Sequence, residues 1–168
     1  MLKQLAAALA GLALAIPGQA RVEEGTVPLI ELIEGSGIVV RYNSEDCDSG
    51  EYLGLYRHSG MKRAFILCPG ETVDAVDHMV VRHEAVHAIQ HCVNAARGTH
   101  VLTPILQDDD DLMPWVREYL TEVQISEIQA LYPKSHWRIE YEAFAGMDAY
   151  TSDELAELFR TACIYTDA

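Results

Sequence analysis

The chain has 168 residues and a formal net charge of −14, with 26 Asp and Glu against 12 Lys and Arg. That balance excludes a nucleic-acid-binding role, which needs a basic surface, and leans weakly toward neutral or cationic ligands. The length suits one domain with a real hydrophobic core, and no internal repeat or low-complexity tract interrupts it.

Met1-Leu2-Lys3 is a short positive start, Leu5 to Ile16 an apolar run, and Pro17-Gly18-Gln19-Ala20 a small-residue exit. This pattern predicts a secretory signal peptide over 1–20, cut after Ala20, with the mature domain at 21–168. The run falls short of the roughly 20 residues that span a bilayer, so no stable membrane anchor is expected. The protein is then secreted or periplasmic.

Val27 to Ile33 forms a short helix or an entry segment around Pro28. Gly37 to Asn43, Glu51 to Tyr56 and Arg63 to Cys68 are β-rich, and His58-Ser59-Gly60 is a hairpin-like link. A small antiparallel sheet of about three strands therefore precedes a long helix. Cys68-Pro69-Gly70 breaks the chain, Thr72 can cap that helix, and the helix runs to Arg97 with Gly98 as its stop. Asp74 and Asp77 near its start and Arg97 at its end suit the helix dipole.

The middle of that helix reads His83-Glu84-Ala85-Val86-His87. Side chains four apart share one helix face, so both imidazoles can each give a nitrogen to a single Zn²⁺ at about 2.0–2.1 Å. Glu84 then stands beside the metal, where a carboxylate can take a proton from an activated water. Val76, Val80, His83 and His87 form one stripe, and Val81, Ala85, Ala88, Ile89 and Cys92 another, which predicts burial on two sides. His91 continues the four-residue series but cannot share the metal with His83, because eight residues of helix span about 12 Å.

Beyond Gly98 a loop through Pro104 and Asp108–Asp111 reaches Pro114. The four consecutive Asp lack the spacing of a calcium loop and read as a solvated loop. Trp115, Tyr119, Leu120, Val123 and Ile128 mark an amphipathic helix ending before Pro133. Ser135 can cap a further helix from His136 to about Ala149. Thr151-Ser152-Asp153-Glu154 is a capping box for a last helix, Leu155 to Ile164.

Cys47, Cys68, Cys92 and Cys163 contain no Cys-x-x-Cys pair, which disfavours a zinc knuckle. An even number in an exported chain favours two disulfides. Of the three possible pairings, Cys47 with Cys68 would tie neighbouring strands. Cys92 with Cys163 would tie the metal-bearing helix to the last one.

Zinc hydrolases normally use three protein ligands. The third is sought in Trp137-Arg138-Ile139-Glu140-Tyr141-Glu142-Ala143-Phe144-Ala145. A Glu followed three residues later by a small residue, downstream of His-Glu-x-x-His, resembles the gluzincin clan of zinc metallopeptidases. The resemblance implies that Glu140 is the ligand and that Ala143 lets two helices approach. Phe144 stands where the clan often has an Asp that supports a ligand histidine. Glu142 is the alternative ligand, about 200° around the helix, so only one of the pair can face the metal.

The resemblance further implies an α+β, zincin-like fold: a small sheet over the metal-bearing helix, then about three helices. It implies a peptidase of peptide or protein substrates, with Zn²⁺ on His83, His87 and Glu140 and with Glu84 as general base. The strand at 63–68 would take an added substrate strand. Tyr141, Tyr150, Tyr165, His91 or His136 could polarise the carbonyl. Two other classes fit the sequence: a non-catalytic exported binding protein with a structural or vestigial zinc, and an acidic, disulfide-bonded interaction module without metal.

Overall fold

A computed structural model describes residues 25–48, 50, 52–59, 62–69 and 78–164. The signal-peptide segment, the Thr72 cap with Asp74, Val76 and Asp77, Gly60 of the hairpin link, and Tyr165 lie outside the described residues. The fold is α+β, with a three-stranded sheet and six α-helices among those residues. In chain order these are α1 (Thr26–Gly35), β1 (Val39–Tyr42), β2 (Gly54–Ser59), β3 (Lys62–Leu67) and α2 (His78–Ala96). Then come α3 (Asp109–Tyr119), α4 (Glu122–Leu131), α5 (Trp137–Ala149) and α6 (Ser152–Phe159), which runs on as a π turn over Arg160–Ile164.

The sheet is mixed rather than antiparallel, with order β1-β3-β2. β2 and β3 pair antiparallel, but β1 pairs with β3 in parallel, Val39 opposite Ala64 and Tyr42 opposite Leu67. After Tyr42 the chain crosses to the far side of β3 instead of turning back, and a parallel neighbour requires such a crossover. β3 is therefore the central strand, with both edges occupied, so no substrate strand can add to it. β2 also starts later than its sequence suggested: His58 and Ser59 are strand residues opposite Arg63 and Lys62.

Four helices follow α2, not three, because the single helix expected up to Pro133 is two. Asp108 caps α3 by accepting from Asp110 N, and Asp109, Asp110 and Asp111 fill its first turn. Carboxylates there face the positive end of the helix dipole, so the Asp run starts a helix instead of forming a loop. Leu120 is extended, and a capping box between Thr121 and Gln124 starts α4 in a new direction. The Thr151–Glu154 box starts α6 in the same way.

Two apolar clusters flank α2 and α5. One joins α1, the sheet, α2 and α6 around Leu29, Phe65, Ile89, Leu155 and Phe159. The other joins α3, α4 and α5 around Leu112, Trp115, Ile128 and Tyr141. All ten residues from His83 to Cys92 are buried, so the middle of α2 is enclosed on every side. α5 can lie this close to α2 because of Gly146: a Cβ there would overlap the methyls of Val86. Gly54 does the same for β2, where a Cβ would collide with Val80 and press on Glu84.

Disulfides join Cys47 to Cys68 and Cys92 to Cys163, with Cα–Cα distances of 5.6 and 5.1 Å. These are the two bridges favoured from the sequence, and they point to an oxidising, extracellular environment. No helix among the described residues is long and apolar enough to cross a membrane.

Candidate metal centre

α2 carries His83 and His87 one turn apart, and α5 brings Glu140 from its first turn to the same point. The Nε2 atoms of the two histidines are 3.1 Å apart. Glu140 places Oε2 3.4 Å from His83 Nε2 and Oε1 3.6 Å from His87 Nε2. Ligand atoms about 2.0–2.1 Å from one tetrahedral ion stand about 3.3–3.4 Å from one another. The three observed distances bracket that value, so these side chains could hold a metal ion. The histidines and Glu140 are 6–8% exposed, so the group is buried but not fully closed to solvent.

The polar bookkeeping agrees. Glu140 Oε2 is buried with no hydrogen-bond donor, a costly state for a carboxylate unless a cation sits against it. In the metal-free protein a proton plays that part. Burial pushes His87 down, but the Glu140 carboxylate against it, with help from Glu84 and Gln90, raises it to about 9. Burial pushes Glu140 up, and the imidazoles of His87 and His83 more than reverse this, holding it well below the ordinary carboxylate range. A metal ion binding here displaces that proton.

The tautomer of His87 is fixed by a buried chain of hydrogen bonds. The Nε2 of Gln90 donates to Ile139 O at 3.1 Å and to Glu142 Oε2 at 2.9 Å. Both partners only accept, so the amide must turn its oxygen to His87 Nδ1, at 2.8 Å. Nδ1 therefore carries a proton in either state, and Nε2 is the nitrogen left to ligate when a metal ion displaces its own proton. Glu142 itself faces away from the histidines. Its oxygens accept from Ile105 N at 2.6 Å, Leu106 N at 2.8 Å and Gln90. Burial pushes its carboxyl up, against the opposing pull of those donors. Glu140 is thus the carboxylate that joins the histidines, and Glu142 is the anchor behind them.

His83 is held differently. Its Nδ1 is buried without a partner, and its ring packs edge-on against Phe144 with centroids 4.4 Å apart. Phe144 supports by packing where the gluzincin pattern often has an acceptor. Glu84, 6% exposed, has its Oε2 fixed by Tyr56 N of β2 at 2.6 Å, an approach that Gly54 makes possible.

The residues considered for carbonyl polarisation scatter. Tyr141 OH accepts from Gln129 at 2.7 Å within the α3–α4–α5 core. Tyr150 OH is buried without a partner. His91 shares a hydrogen bond of 2.8 Å with Tyr56 OH and stacks on His58, and His136 is the N-cap of α5. Tyr132, not singled out from the sequence, packs on the Phe144 that supports His83. Its ring lies 6.3 Å from Phe144. Burial, and then the carboxylates of Glu140 and Glu84, hold its phenol protonated. In the sequence Tyr132 reads only as the end of a helix before Pro133. Gln90, Gly54 and Gly146 were missed as well. Gln90 carried one signal, its place one helical turn after His87.

No protein-family model, curated protein or solved structure matches the chain. The chemistry of the centre is therefore read from its geometry.

Proposed function

We propose that the protein is an exported, zinc-dependent endopeptidase of the gluzincin type. The observation that carries this is the convergence of His83, His87 and Glu140 on one point, with Glu84 next to the first of them on the same helix. Two imidazoles and a carboxylate suit several divalent ions. The carboxylate of Glu84 beside the three donors favours hydrolysis, since a purely structural metal needs no base at its side.

Bound zinc would supply Lewis-acid polarisation of the attacking water and of the scissile carbonyl. Glu84, oriented by Tyr56 N, accepts the proton of that water and passes it to the leaving amine. Tyr132 keeps its proton and donates a hydrogen bond to the developing oxyanion. Gln90 keeps His87 in the ligating tautomer throughout.

The test is a peptide-library digest read by mass spectrometry, with the protein zinc-loaded, chelated and reloaded. Internal cleavage that disappears on chelation and returns with Zn²⁺ is expected. Cleavage that survives complete zinc removal, or none by the zinc-loaded protein, would contradict the proposal.

A further inference from the structure

The sheet has a second face, and its charge runs against that of the whole molecule. Side chains alternate along each strand. Tyr56, Phe65 and Leu67 point into the core, whereas Val39, Arg41, Arg57, Ser59, Lys62 and Ala64 share the opposite face. Arg41, Arg57 and Lys62 are exposed and come one from each strand. Val39, 52% exposed, and Ala64 lie between them as an apolar floor. Together they line a hollow of about 410 Å³, whereas the side chains of Arg63 and His58 turn to the other face, Arg63 to Ser36 O and His58 onto His91. Three of the chain's 12 Lys and Arg thus share one groove on a protein of net charge −14.

We infer that this groove is a docking site for an acidic, extended segment of a partner or substrate protein. Asp46 shows the contact such a segment would make: its carboxylate already sits 2.7 Å from Arg57 at the rim. That pair neutralises one guanidinium and leaves Arg41 and Lys62 to an incoming chain. The apolar floor suits peptide, whose carboxylates can alternate with apolar side chains at strand spacing. A field of this sign on an otherwise acidic body steers an anionic segment to one place and repels it everywhere else. Docking here is separate from hydrolysis and does not depend on the peptidase proposal.

Fluorescence anisotropy of a labelled peptide alternating Glu and Val tests it. The net charge alone predicts repulsion, so saturable binding at low ionic strength is itself diagnostic. Affinity should fall about tenfold or more as salt is raised toward 0.3 M, where screening is strong. The exposed double variant R41E/K62E should lose at least tenfold, whereas R117E, on α3, should bind like the parent. Absence of binding at low salt, or equal binding by R41E/K62E, would overturn the inference. Tighter, R41E/K62E-sensitive binding of a sulfated oligosaccharide would overturn peptide as the occupant. So would salt-sensitive self-association through the same residues.

Discussion

Gln90→Leu isolates the buried hydrogen-bond chain behind the metal centre. Leucine matches the size of Gln90 but neither donates nor accepts, so His87 Nδ1, Ile139 O and Glu142 Oε2 each lose a partner. Gln90 is fully buried, and water cannot replace it. Glu142 Oε2 keeps Ile105 N, and the other two groups, at about 1–3 kcal/mol for each unsatisfied buried group, put the loss of stability at roughly 2–6 kcal/mol. The disulfides, closing separations of 21 and 71 residues, contribute about 3 and 4 kcal/mol in the loop-entropy model and should keep the variant folded. Loss of a group that orients a ligand histidine lowers metal affinity about 10–100-fold, or roughly 1.4–2.7 kcal/mol. Competition with a chromophoric chelator measures zinc affinity, and near-ultraviolet circular dichroism checks the fold. A folded Gln90→Leu protein that binds zinc within twofold of the parent would refute the role given to Gln90.

Glu140→Ala should abolish tight zinc binding, because it removes one of three ligands. Glu142→Ala should retain the ligand set and instead lose stability at the Ile105–Leu106 turn. Zinc titration and thermal melting of both variants separate the two, and a reversed pattern would exchange their roles. His91 supplies the acid sensitivity: burial, then His58, Arg63 and His100, lower it to about 4. Its folded value lies below the ordinary 6.5, so the unfolded chain binds the extra proton first, and stability falls as pH drops from about 6.5 to about 4. His91→Gln, which can still pair with Tyr56 OH, should flatten that slope in chemical denaturation. An unchanged slope would rule out His91 as its source.

The sequence revealed those parts of the centre that follow from helical period alone. His83, Glu84 and His87 are fixed by spacing within one helix; Glu140, with Glu142 as its alternative, rests instead on the Glu-x-x-Ala resemblance, to which helical period adds only that one of the pair can face the metal. Placing Glu140 rather than Glu142 beside the histidines requires the direction in which α5 lies on α2. That direction depends on Gly146 against Val86, a contact with no local signature. The parallel pairing of β1 was hidden for a similar reason, since strand pattern reports burial but not which neighbour lies across the ladder. The Asp run misled because four carboxylates suit a solvated loop and a helix N-terminus equally well. Only the extended Leu120 and the Thr121 cap show where α3 ends. Gln90 reaches His87 and Glu142, and Tyr132 reaches Phe144, through tertiary contacts, which periodicity does not encode.

Glu84→Gln tests the central claim most directly, because the amide fills the same space and can still accept from Tyr56 N but cannot act as a base. Zinc content and peptide hydrolysis should be measured on the same preparations of parent and variant. The predicted result is equal zinc at the His83–His87–Glu140 centre, with hydrolysis lower by several orders of magnitude in the variant. Hydrolysis by zinc-loaded Glu84→Gln at the parent rate would contradict a zinc peptidase that uses Glu84 as its base.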